Sequence, residues 1–261
     1  PSFLKGEQYM SSKLISNLAW REYSSKTQDG IIILPVGATE QHSTHLPLGV
    51  DSIITENVAL TLAEEIDALV APPLYYGYKS QPSSGGGPLF PGTIDLNGAT
   101  LTSLAGDILK ELLADGWQRI LVLNGHFENL AFLIEAADLL LREQKSAFPR
   151  VVITSWWDNI SNDVLPKIFD EVEFAGWELE HAALVETSAM MFFAPELVNE
   201  ELFLDEGLKN LPRCHSFPVR PGLLPDSGNL HTPRTSSAEK GRLIIEDVID
   251  NLKKIVTEEF N

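Results

Sequence analysis

The chain has 261 residues, 44% hydrophobic and 21% charged, which excludes intrinsic disorder and collagen-like repeats. Lys and Arg number 19 against 37 Asp and Glu, a net charge of −18 that argues against a nucleic-acid partner; the longest basic run is only Lys253-Lys254. No apolar run reaches the roughly 18 residues of a membrane helix, Pro1 to Trp20 predicts no signal peptide, and the lone Cys214 excludes an internal disulfide and fits a cytoplasmic location. In chain order, short β-branched apolar runs predict buried strands at Ile31–Val36, Ala68–Pro72, Arg119–Leu123 and Val151–Thr154. Helical patterns alternate with them at Ile54–Ile66, Thr100–Ala114 (ended by Gly116) and Asn129–Glu143. Two more follow: Glu180–Phe193, stopping before Pro195, and Ser237–Glu258, opened by the capping box Ser236-Ser237-Ala238-Glu239. Tyr75–Gly98 and the Pro-rich Asn199–Arg234 read as long irregular segments, which in compact domains usually serve function or assembly. This alternation predicts a single α/β domain over 14–261, a mostly parallel sheet covered by helices on both faces, with 1–13 as an N-terminal extension.

Ligands in open α/β sheets bind beyond the carboxyl ends of the strands. Two predicted strands end in mirrored punctuation. The first continues into Glu40-Gln41-His42, and the third into His126-Phe127-Glu128. In extended backbone, residues i and i+2 face the same way, about 7 Å apart, and neighbouring strands lie about 4.8 Å apart. Two such pairs on adjacent strands can surround two cations roughly 3.5–4 Å apart. A bridging carboxylate is then needed, and Asp51 follows shortly after the first pair. Mixed imidazole and carboxylate ligands suit zinc or manganese. A lone His or Glu at a strand end is most often only a hydrogen-bonded or surface residue. The mirrored pairs with a nearby Asp are what turn the reading toward metal.

These motifs resemble the creatininase (creatinine amidohydrolase) family. Tyr76-Gly77-Tyr78-Lys79-Ser80-Gln81, Ser84-Gly85-Gly86-Gly87, Phe90-Pro91-Gly92-Thr93, Trp157-Asp158, Gly176 to His181 and Glu186-Thr187-Ser188 extend the likeness from about Leu14 to the C-terminus. The resemblance implies a three-layer fold and a two-metal hydrolase of cyclic amides, with zinc and manganese as the family's metals. Glu40, Asp51 and His126 would hold one ion. His42, Asp51 and Glu128 would hold the other, with a water between them as the nucleophile. His181 would transfer the proton, and Glu186 would complete the site or orient substrate. Ser80, Gly125, Phe127, Trp157 and Trp177 would contact the substrate, with Trp157 on a mobile flap. Creatinine, opened reversibly to creatine, is the implied small-molecule substrate, and a homohexamer the implied assembly. Relatives acting on a formamide of a pyrimidine nucleotide or on an inositol-derived ketone supply the alternatives. A metal-stabilised binding protein is a third. At Phe127 the family's best-known members carry Tyr, so one potential donor near the substrate is absent.

The remaining features read more plainly. Without a Gly-Lys-Ser/Thr ending, Lys79-Ser80 and the glycine run point to close backbone approach rather than phosphate binding. His45 falls off the i, i+2 register, His215 and His231 sit in Pro-rich loops, and Cys214 reads as a structural thiol.

Overall fold

A computed structural model describes residues 13–261 apart from Lys209, Leu211 and Pro221. The predicted extension therefore falls outside the described residues, except Lys13, which pairs with Asp67 at 2.7 Å.

The elements run α1 (Trp20–Ser24), β1 (Ile32–Val36), α2 (Val50–Ile66), β2 (Leu69–Val70), α3 (Gly98–Ala114), β3 (Arg119–Asn124), α4 (Leu130–Leu141), β4 (Arg150–Ser155), α5 (Leu165–Ile168), α6 (Leu184–Phe193) and α7 (Ala238–Phe260). The four strands form one parallel sheet in the order β2-β1-β3-β4. Side chains alternate across it, as a strand's period of two requires. Ile33, Leu121 and Leu123 enter one core with Val50, Ile54, Leu184 and Ile244, from α2, α6 and α7. Ile32, Leu34, Ile120 and Val122 enter a second core with Leu101, Leu109 and Leu133, from α3 and α4. The result is the expected three-layer α/β/α domain. Apolar residues on both faces of every strand leave no solvent side for the sheet, which explains runs without polar alternation.

Three of the differences from the expected boundaries have a local reason. First, α2 begins at Val50 rather than Ile54, because Val50, Asp51 and Ser52 are already buried against the sheet. Second, α6 begins at Leu184, not Glu180. Ala182 takes a left-handed φ of 51°, and two carboxylates hold the turn: Ala182 N donates to Glu186 Oε2 at 2.7 Å and Val185 N to Glu180 Oε2 at 3.0 Å. Third, the capping residue of α7 is Ser237, one later than the predicted box; its hydroxyl accepts from Lys240 N at 3.1 Å, and Glu239 pairs with Arg242 instead of reaching back. The segment 158–176, expected as the mobile flap beside Trp157, is anchored to the body: Ile160 and Ile168 are buried, and Ser161 N donates to Asp247 of α7 at 2.6 Å. Among the described residues, no helix is long and apolar enough to cross a membrane.

Candidate metal centre

The parallel register sets Val36 of β1 beside Asn124 of β3, so the loops that follow both strands leave the sheet side by side. Asn124 shapes the second loop. Its Nδ2 donates to His126 O at 2.8 Å and to Ser155 Oγ at 3.2 Å, and its Oδ1 accepts from His126 N at 3.2 Å. Gly125 then passes so close to α2 that a Cβ would lie 1.9 Å from Thr55 Oγ1 and 2.5 Å from Asp51 O. Only glycine fits there, and this approach brings Asp51 to both loops. Asp51 lies in the first turn of α2, where exposed N–H dipoles favour a negative side chain.

Glu40, His42, Asp51 and His126 are all buried, and they converge. His126 Nδ1 lies 3.0 Å from Glu40 Oε1 and 3.2 Å from Asp51 Oδ2. His42 Nε2 lies 3.1 Å from Asp51 Oδ1 and 3.7 Å from Glu186 Oε2. Two sets can therefore hold a cation, Glu40–Asp51–His126 and His42–Asp51–Glu186, and Asp51 turns a different oxygen to each. Glu40, His42 and His181 make a third grouping over the same space.

The grouping around His42 contains Glu186, where the resemblance implies Glu128. The i, i+2 spacing of His126 and Glu128 holds only in extended backbone, but Phe127–Asn129 is a 3₁₀ turn. The turn carries the Glu128 carboxylate to the far edge of the His126 ring, 3.3 Å from Nε2. There Glu128 Oε1 accepts from Ser84 Oγ and, at 3.2 Å, from Gln81 N. The Tyr78 carbonyl also meets His126 Nε2, at 3.1 Å, which leaves Nδ1 for the cluster.

The donor set fits divalent cations. Glu40 Oε2, His42 Nε2 and Asp51 Oδ2 are buried without an aligned hydrogen-bond partner, a costly state unless an ion binds them. Burial alone would raise the Glu40 carboxyl, yet the imidazoles of His126, His181 and His42 hold it well below the usual carboxylate range. Burial would lower both histidines, but Asp51 and Glu186 push His42 well above its ordinary value, and Glu40 and Glu128 do the same for His126. A field that so favours positive charge also favours a bound cation.

A cavity opens beside the cluster. Gly125, Phe127, Trp157 and Trp177 line it, with His181 and Glu186. Phe127 and Trp157 stack at 6.3 Å, 20° between planes. Ser80 is buried away from this wall, its hydroxyl accepting from Gly87 N at 3.3 Å, whereas Ser84 and Gly85 of the same loop reach the cavity. Sequence reasoning missed Ser84 and Glu180, another lining residue; no spacing marks either one. Burial first, and then the Glu186 charge, push the Glu180 carboxyl up to about 8 against the pull of Val185 N–H. His45 stays outside the cavity, holding the loop to α6 through Thr187 Oγ1 at 2.9 Å. Among the described residues lining the cavity there is no Lys or Arg.

The creatininase family model, described as creatinine amidohydrolase, matches residues 16–256. The chain is 41% identical to creatinine amidohydrolase of Pseudomonas putida over 95% of its length and 98% of the relative's. It is 30% identical to a mycofactocin precursor peptide peptidase of Mycolicibacterium smegmatis, over 84% of this chain and 81% of that one. A 3-dehydro-scyllo-inosose hydrolase of Thermotoga maritima is 26% identical over 88% and 77%. A solved creatininase with Mn superposes with a TM-score of 0.91 at 41% identity, covering 95% of this chain and 99% of that one. A mutant creatininase complexed with creatine gives a TM-score of 0.91 at 40% identity, with coverage of 95% and 99%. A mutant of the Zn-Zn type gives 0.90 at 40% identity, with 95% and 98% covered. Fold, family model and identity over nearly the whole chain agree: this protein belongs to the creatininase family and is a hydrolase acting on amides.

Proposed function

We propose that this chain binds two divalent cations, zinc or manganese, and interconverts creatinine and creatine. The observation that carries the proposal is Asp51, buried and turning one oxygen to each of two ligand sets, beside a cavity walled by indole and phenyl faces. Glu40 and His126 would hold one ion with Asp51; His42 and Glu186 would hold the other. Glu128 would position His126 from behind. The chemistry such ions supply when bound is ionisation of water near neutral pH and polarisation of the scissile carbonyl. Water adds to the ring carbonyl carbon, the bond from that carbon to the ring nitrogen breaks, and the carbonyl becomes the carboxylate of creatine. His181 delivers a proton to the departing nitrogen, which leaves poorly without one. Phe127, Trp157 and Trp177 cover the flat ring and keep bulk water out.

The absence of Lys and Arg among the described residues of the wall supports an uncharged or cationic ring over a phosphate-bearing substrate. The Mn and Zn-Zn creatininases support the choice of metals, and the creatine complex supports the substrate. The active form is a homohexamer in this reading. The test is creatinine-to-creatine turnover by protein reconstituted with zinc or manganese, with a chelated control. Turnover in the loaded protein and its loss on chelation are expected. Metal-loaded protein that leaves creatinine intact would overturn the substrate assignment.

A further inference from the structure

A general acid needs its proton on the nitrogen that faces the reacting atoms, and in a neutral imidazole that nitrogen is chosen by what the other one meets. His181 Nδ1 faces the carboxylate cluster, 3.8 Å from Glu40 Oε1. His181 Nε2 faces Gln41 Nε2, at 2.9 Å. Three backbone contacts fix the orientation of the Gln41 amide. Ser43 N donates to Oε1 at 2.8 Å, and Nε2 donates one N–H to Gly85 O at 2.8 Å, while its second N–H is shared between Gly228 O, at 3.2 Å, and His181 Nε2. A flipped amide would set its oxygen against two carbonyl oxygens and its NH₂ against the Ser43 N–H. The atom beside His181 is therefore nitrogen, which can only donate. Two donors cannot bond each other, so His181 Nε2 is the acceptor and the proton of the neutral ring sits on Nδ1.

From this geometry we infer that Gln41 is a positioning residue that holds His181 in the Nδ1–H tautomer, with its proton aimed at the cluster. In the proton-transfer role proposed for His181, on which the inference rests, Nδ1 gives its proton to the departing nitrogen and takes back the one the attacking water loses, so the ring is neutral before and after; the tautomer itself follows from the hydrogen bonds alone. Gln41 lies between two residues of the metal cluster in sequence but turns to the neighbouring loops, where it is buried. Gly228, at φ +80°, makes room: a Cβ there would lie 2.1 Å from Gln41 Oε1. The amide joins three loops, and its contact with His181 goes beyond that structural tie. The His42 ring, 4.6 Å from that of His181, supports it from the other side.

The experiment is nitrogen NMR of the zinc-loaded full chain with ¹⁵N-labelled histidine. The chain has 6 histidines, and His181→Ala assigns the resonance. Wild type should show Nε2 unprotonated and Nδ1 protonated. Gln41→Met, of similar length and without a donor, should release the ring toward the Nε2–H tautomer while zinc stays bound. Its kcat for creatinine should fall about 10–100-fold with KM unchanged, the usual scale for losing a residue that orients an active group. A protonated Nε2 in wild type overturns the inference without any variant, so it stays testable even if Gln41→Met does not fold. A Gln41→Met protein that keeps the Nδ1–H tautomer overturns it as well. Full turnover by His181→Ala would instead remove the proton-transfer reading, and the spectrum would still decide the tautomer.

Discussion

Asp51 is the residue on which the two sides of the site depend, since Oδ1 meets His42 and Oδ2 meets His126. Asp51→Ala should therefore bring bound metal close to zero, whereas Glu40→Ala should weaken mainly the ion shared with His126. Elemental analysis after dialysis measures both; equal, small losses would contradict a shared carboxylate. Glu180 carries a different prediction. Its carboxyl is pushed from 4.5 up to about 8, by burial first, with one oxygen bound by Val185 N and the other buried without a partner. A raised carboxyl binds its proton more tightly in the folded chain. Its contribution to stability is complete below the unfolded value of 4.5 and is lost as pH rises through about 8. Glu180→Gln stays neutral, so between those limits the melting temperature of the metal-loaded variant should fall less than that of wild type. The difference should reach several degrees, at roughly 2–4 °C per kcal/mol for a chain of this size. Parallel declines in the two proteins would show that Glu180 does not titrate in this window.

At the scale of elements, the site is built at the ends of β1 and β3 and the first turn of α2, and α6 and α7 pack beneath. The first turn of α7 leaves backbone donors that only side chains or water can satisfy, and Ser237 satisfies one of them. Ser237→Ala should destabilise the protein by about 1 kcal/mol, lowering the melting temperature by roughly 2–4 °C. Ser236→Ala should have a smaller effect, because Ser236 donates to Leu184 O at a long 3.3 Å and caps nothing. A larger loss from Ser236→Ala, read by the same melting curves, would restore the box in its predicted register. Metal content and turnover should be unchanged in Ser237→Ala, since the hydrogen bonds of Ser237 go to Lys240 N, Gly241 N and Ser188 Oγ and to no residue of the cluster.

At the scale of the whole molecule, α4 is apolar on two sides. Leu133 and Ala136 enter the core, while Ile134 and Leu139 remain 51% and 57% exposed, and Trp20 is 71% exposed elsewhere on the surface. The hexamer proposed above would cover some of these side chains. Sedimentation of the purified protein at micromolar concentration should give six times the 28.8 kDa chain mass. A clean monomer would reject the assembly.

The amino-acid sequence by itself determined the layered α/β fold, because runs such as Ile31–Val36 are apolar on both faces and can only be buried twice. It also determined which residue types gather at the strand ends, because Glu40, His42 and His126 directly follow β1 and β3. Tertiary structure decided the rest. A 3₁₀ turn after His126 broke the i, i+2 geometry, moved Glu128 behind the ring and left Glu186, from a distant helix, to meet His42. Ser84 and Glu180 entered the cavity wall through loop paths that no periodicity encodes. The contact of Gln41 with His181 spans 140 positions of chain. Spacing in sequence reports neighbours along one strand or helix; which loops meet is set by packing between elements, and there the sequence alone is silent.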